Sequence, residues 1–289
     1  MTILALALRI INALFMIGIP FLAALMIYRR GKDGFRPIWI GTAAFILSQV
    51  GHIPFNQFLM LPALKAWGVD IAAGFGAPLW ILGAAAGLSA GVFEEITRYL
   101  VFRFWLKNSP SENLPIKVGI GHGGVEAVLA GLLALYALIQ VLVLRGEGAL
   151  AAFDPDRAAL IQSQLEAYWA IPWHQSLLGA WERISAMAFH LGASLMVYKS
   201  VRQKNPLWLV IAVIGHALLN AFAVIALRQL DFILLEGIVF VFAGLWLGWA
   251  WSVRVKDQVD AGEGLLPPPQ VLFSAPQITS KQIEESRYD

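Results

Sequence analysis

The sequence predicts an all-α fold, a polytopic transmembrane helical bundle of about seven spans. Three observations predict it. Hydrophobic residues make up 58% of the 289 positions and charged residues 14%, where a soluble domain carries roughly 25% charge. Mean hydropathy is +0.68. Several uninterrupted apolar runs approach the ~20 residues that cross a hydrocarbon core.

Taken in order, the spans are 3–28, 38–64, 77–105, 118–144, 171–198, 207–227 and 232–253. The first is too long for a signal-peptide core and lacks a small-residue cleavage pattern, so it is read as a retained span. The longest loop follows the fourth span. It predicts a short amphipathic helix over 156–169 lying at the membrane interface, where Tyr168, Trp169, Trp173 and Trp181 suit an aromatic girdle. Residues 1–256 form the membrane domain. Residues 257–289 turn polar, with Pro267, Pro268 and Pro269, and are expected to be a disordered cytoplasmic tail.

Charge distribution sets the expected orientation. Arg29, Arg30, Lys32 and Arg36 follow the first span, and Arg103, Lys107 and Lys117 the third. Lys199, Arg202 and Lys204 follow the fifth, and Arg254 and Lys256 the last. The alternate loops are poorer in positive charge. The positive-inside rule therefore predicts an outside N-terminus and a cytoplasmic C-terminus, in the plasma membrane. The expected partners are the lipid bilayer and a membrane-associated protein or peptide substrate, with no nucleic acid. The absence of cysteine excludes disulfides and thiolate ligands.

The polar residues inside the spans carry the functional expectation. An ionisable side chain at mid-bilayer costs about 2.5–3.5 kcal/mol even on the lenient insertion scale, so such residues are by default functional or tightly paired. The third span holds Glu94, Glu95 and Arg98, the fourth His122 and Glu126, the fifth Glu182, Arg183 and His190, and the sixth His216 and Asn220. At ~1.5 Å per residue, Glu95, Glu126, His190 and His216 all lie ~14–18 Å from their predicted cytoplasmic ends. Equal depth on four helices predicts one buried cavity, expected to open toward the cytoplasm. Helical spacing lets Arg98 neutralise either Glu94 or Glu95, and puts His122 with Glu126, and His216 with Asn220, on shared faces. Gly119, Gly121, Gly123 and Gly124 allow close approach of a neighbouring helix. Four glutamates, Glu94, Glu95, Glu126 and Glu182, against Arg98 and Arg183 leave excess negative charge, which predicts a protonated carboxyl or a bound divalent cation. Histidine with glutamate favours zinc. His52, with Gln49 and Asn56, is read as structural or cavity-lining, and Arg9 and Asn12 as possible cavity contacts.

These motifs, Glu94-Glu95-x-x-Arg98, Gly121-His122-Gly123-Gly124-Val125-Glu126, Glu182-Arg183 with His190, and His216-x-x-x-Asn220, resemble in order those of the YhfC family. That family is placed in the CAAX-protease and bacteriocin-processing superfamily, beside the PrsW-type proteases. The resemblance implies a CAAX-protease-like core and an intramembrane metallopeptidase. A glutamate of the first motif would activate water, and later histidines would bind metal or stabilise the oxyanion. The main CAAX branch has one more residue between glutamates and arginine, and a histidine where this chain has Glu126. On this reading Glu95 or Glu94 is the general base, and His190, His216 and Glu126 hold Zn²⁺. Asn220 or His216 faces the oxyanion, Arg98 sets carboxylate charge, and His122, Glu182 and Arg183 support. Two alternatives remain: a noncatalytic membrane scaffold and a proton- or cation-coupled transporter.

Overall fold

The computed structural model describes residues 2–29, 33–108, 111–146 and 148–255; the predicted tail lies outside these residues. The helices are α1 (Ile3–Ile27), α2 (Arg36–Phe55), α3 (Leu61–Ala66), α4 (Gly76–Leu100), α5 (Leu114–Leu144), α6 (Pro155–Ala170), α7 (Leu178–Gln203), α8 (Leu207–Ala226) and α9 (Phe232–Ser252). A π turn, Asn56–Met60, joins α2 to α3, and another, Val101–Trp105, prolongs α4. No strand occurs among the described residues.

Local chemistry fixes the helix ends. Thr2, Asp154 and Asp231 cap α1, α6 and α9 by accepting a backbone N–H through the side chain. Pro37 and Pro115 are the second residues of α2 and α5, where a missing N–H costs nothing. The fifth span was expected from residue 171, but a 3₁₀ turn, Trp173–Leu177, precedes α7. Pro172 is the reason: it holds Ile171 in an extended conformation (ψ 123°) and cannot continue a helix from it. The helix expected over residues 156–169 is α6.

Among the described residues six stretches are long and apolar enough to cross a membrane: Ile3–Ile27, Arg36–Ala66, Gly76–Trp105, Leu114–Leu144, Leu207–Ala226 and Phe232–Ser252. α7, also long at 26 residues, is not among them. Its surroundings account for this. Fourteen of its residues are buried against four in α8, because α1, α4, α5, α8 and α9 all pack on it. A helix enclosed by protein needs no lipid-facing apolar surface.

Glycines set the closest approaches. A Cβ at Gly87 would overlap the Ala217 carbonyl oxygen, and one at Gly121 the Ile38 carbonyl oxygen. α4 therefore lies against α8, and α5 against α2, backbone to backbone. Buried Lys117 donates to the carbonyls of Tyr28 (3.3 Å) and Gly34 (3.2 Å), tying the α1–α2 connection to the start of α5. At that same end Phe102, Leu114, Val118, Met196 and Tyr198 belong to the largest buried apolar cluster among the described residues. This end also carries the lysine- and arginine-rich connections.

Candidate active site

The site begins with consecutive residues of α4, which a helix turns about 100° apart. Glu95 is fully buried; Arg98, one turn later, clamps its carboxylate, and His216 Nδ1 of α8 donates to it at 2.7 Å. Glu94 faces α2 and α5 instead. Its Oε1 accepts from Gln49 Nε2 at 3.0 Å, and its Oε2 lies 3.0 Å from His122 Nε2 and 3.8 Å from His216 Nε2.

α5 and α7 complete the cluster. Glu126 meets His190 Nε2 at 2.7 Å with one oxygen and accepts from Arg183 Nη1 at 2.8 Å with the other. Arg183 also holds its neighbour Glu182, its Nε donating at 2.7 Å. His190 Nδ1 lies 3.1 Å from Arg98 Nη2. A guanidinium only donates, so Nδ1 accepts and Nε2–H donates to Glu126. Gly119 and Gly123 make this possible: a Cβ on Gly123 would stand 3.1 Å from the His190 side chain. The His122 and His190 rings consequently lie 4.9 Å apart between centroids, their planes tilted by 44°.

Glu94, His190 and His216 each offer a donor atom, and these atoms lie within 4.8 Å of one another. Tetrahedral ligands around a zinc-sized ion, with bonds near 2.0–2.1 Å, stand about 3.4 Å apart, which modest side-chain rotation reaches. His216 turns Nδ1 to the Glu95 carboxylate, which only accepts, and Nε2 toward Glu94 at 3.8 Å, so Nε2 is the nitrogen placed to bind a metal, in the carboxylate–histidine pattern that orients metal ligands. His190 would have to give up its contact with Arg98 or with Glu126 to present a lone pair. The donor set fits a divalent metal ion. Glu126, expected among the ligands, stands outside this trio and pairs with His190 and Arg183.

The trio forms part of the wall of a cavity of about 120 Å³, shared with Glu126, Glu182, Asn220 and Glu236. Glu95, Arg98 and His122 lie behind that wall. The expected opening toward the Lys/Arg-rich end is not met. The lining continues through Glu182 near the start of α7, Ala223 near the end of α8 and Glu236 near the start of α9. The cavity thus runs toward the opposite end, and the Phe102–Tyr198 core seals the other side. Arg9 and Asn12 do not line it; Arg9 donates to the Tyr168 carbonyl (2.8 Å), and Asn12 accepts from the Ala180 N–H (2.8 Å).

Two groups were missed or undervalued in sequence. Glu236, an isolated carboxylate in an apolar span, has a buried Oε2 without a hydrogen-bond partner; the mid-bilayer cost rule would have found it. Gln49 belongs to a chain that runs from Glu94 to His52 Nδ1 (3.2 Å) and on from His52 Nε2 to Asn56 Nδ2 (2.9 Å). The three-residue spacing of Gln49 and His52 was its only sequence signal.

Fold and cluster define an integral membrane protein of α-helices with a buried glutamate–histidine centre. The chain belongs to the YhfC intramembrane metalloprotease family, whose model matches residues 15–242. It is 36% identical over 179 residues to the uncharacterized membrane protein YhfC of Bacillus subtilis (strain 168), a match covering 60% of this chain and 68% of that one. No solved structure matches the chain.

Proposed function

We propose that the chain is a zinc-dependent intramembrane endopeptidase that hydrolyses peptide bonds of membrane-associated substrates. The observation that carries this reading is the buried Glu94–His190–His216 trio, with donor atoms within 4.8 Å, on the wall of a cavity. Glu94, His190 and His216 would hold the ion. When bound, it supplies Lewis-acid polarisation of the scissile carbonyl and lowers the pKa of water. Glu126, on the cavity wall, takes the proton of the attacking water and returns it to the leaving amine. Asn220 presents its amide N–H to the developing oxyanion. Glu95 fixes His216 through Nδ1, Arg98 neutralises Glu95, and His122 with Gln49 aims the Glu94 carboxylate. The substrate enters from the end where α7 and α9 begin, the outer face if the C-terminus is cytoplasmic.

A second reading rests on the same contacts. Glu95, Arg98, His190, His216, Glu126 and Arg183 tie α4, α5, α7 and α8 together with no ion required, which suits a noncatalytic interhelical lock. Metal analysis of purified wild type beside His216→Ala and Glu94→Gln separates the two. Stoichiometric zinc lost in both variants, together with peptide cleavage that Glu126→Gln abolishes, supports the peptidase. Wild type free of metal after purification with zinc supplied supports the lock.

A further inference from the structure

We propose a second site, separate from the cavity: a pocket for the anionic phosphodiester headgroup of a phospholipid, where the end of α4 meets the end of α7. A surface pocket of about 200 Å³ is lined there by Arg103 and Lys107 on one side and Arg202 and Lys204 on the other. Phe102, Leu106 and Val201 supply its apolar floor. No carboxylate is among the lining residues, and none of the four cations forms an ion pair with a described residue.

The positive-inside bias explains why each of these connections is basic, since lysine and arginine there need only face water. It does not explain why two connections nearly a hundred residues apart bring their charges to one pocket, where like charges repel. Nor does it explain Lys204. This residue adopts φ 52° and ψ 33°, and it is the one positive-φ residue other than glycine among those described. Glycine is the residue of least strain after a helix C-terminus, and the chain uses it at its other positive-φ positions. A lysine in that place keeps a cationic side chain at the pocket despite the strain.

Membrane setting decides between a lipid headgroup and free phosphate. The α4 turn that supplies Arg103 also carries Phe104 and Trp105, 61% and 51% exposed, at the level where acyl chains meet headgroups. A phosphodiester seated among the four cations would leave its chains along this aromatic surface. Each basic residue near an anionic leaflet adds attraction equivalent to roughly fivefold in affinity.

The test uses full-length protein purified in neutral detergent, with fluorescent phosphatidylglycerol, fluorescent phosphatidylcholine and inorganic phosphate as probes. Phosphatidylglycerol should bind at least ~10-fold more tightly than phosphatidylcholine, with inorganic phosphate competing only weakly. Lys204→Gly should lower phosphatidylglycerol affinity by roughly fivefold, and Arg103→Gln/Arg202→Gln by roughly 25-fold. Lys204→Gly relieves backbone strain, so its thermal midpoint should not fall, and its binding loss cannot be assigned to misfolding. Equal affinity for the two lipids, unchanged binding in both variants, or displacement of the lipid by equimolar inorganic phosphate would each overturn the proposal.

Discussion

Glu94 and Glu95 share a peptide bond but not an environment. Glu95 is enclosed between Arg98 and His216 Nδ1, whereas Glu94 reaches the cavity wall with Gln49 on one oxygen and His122 on the other.

That division predicts opposite consequences for the same substitution. Glu95→Gln leaves the buried Arg98 guanidinium without its counter-charge and should cost ~3–5 kcal/mol. Glu94→Gln removes a group that sits beside histidines rather than an arginine, so the loss of stability should be clearly smaller while bound metal is lost. Thermal unfolding in detergent with metal analysis of the same samples checks both. Equal destabilisation of the two variants would contradict the division.

The hydrogen bond from Gln49 to Glu94 predicts an effect at a distance. Outer partners of metal ligands typically alter affinity by about 10–100-fold. Gln49→Leu should weaken zinc binding by that order in a competition titration, and His52→Ala should do so by less, since it acts through Gln49. Unaltered zinc affinity in Gln49→Leu would remove Gln49 from the site.

Helix contact through glycine predicts a contrast between two conservative changes. Gly121→Ala forces a methyl against the Ile38 carbonyl and should destabilise by ~1–3 kcal/mol. Gly244→Ala, with open space around the new Cβ, should be neutral or stabilising by up to ~1 kcal/mol. Denaturation midpoints of the two variants compare them directly.

Access to the cavity can be read chemically, because the chain contains no cysteine. Ala223→Cys puts one thiol on the cavity lining. A membrane-impermeant maleimide should modify it from the face opposite the Lys/Arg-rich connections and not from the other. A tag on the C-terminus, protected from protease added outside cells, would identify the opposite face as the outer one. Modification from the Lys/Arg-rich face instead would restore a cytoplasmic opening.

Much of this arrangement was legible in the sequence, and the part that was not has a common cause. Span limits follow from hydropathy and length, so 77–105 is found as Gly76–Trp105 and 207–227 as Leu207–Ala226. Depth follows from counting residues, and it placed Glu95, Glu126, His190 and His216 at one level, where they connect through shared contacts. Helix rotation does not follow from counting. Which of Glu94 and Glu95 meets the cavity depends on how Gly87 and Gly91 seat α4 against α8. Glu236, a lone carboxylate in the apolar α9, was within reach of the sequence; what counting could not show is the set of neighbours it gains through tertiary packing.

The low hydropathy of α7 bears on how the protein is made. A segment carrying Glu182, Arg183, His190 and Lys199 gains little by partitioning into lipid alone, at about 2.5–3.5 kcal/mol for each central charge. Its entry into the bilayer depends on partners: Glu126 of α5 to meet Arg183 and His190, and Arg98 of α4 to meet His190. Those helices precede it in the chain, and His216 of α8 follows. A growing polypeptide therefore carries the elements of the centre apart from one another, and they come together only when synthesis has passed α8. Whatever the centre does, no fragment released before that point can do it.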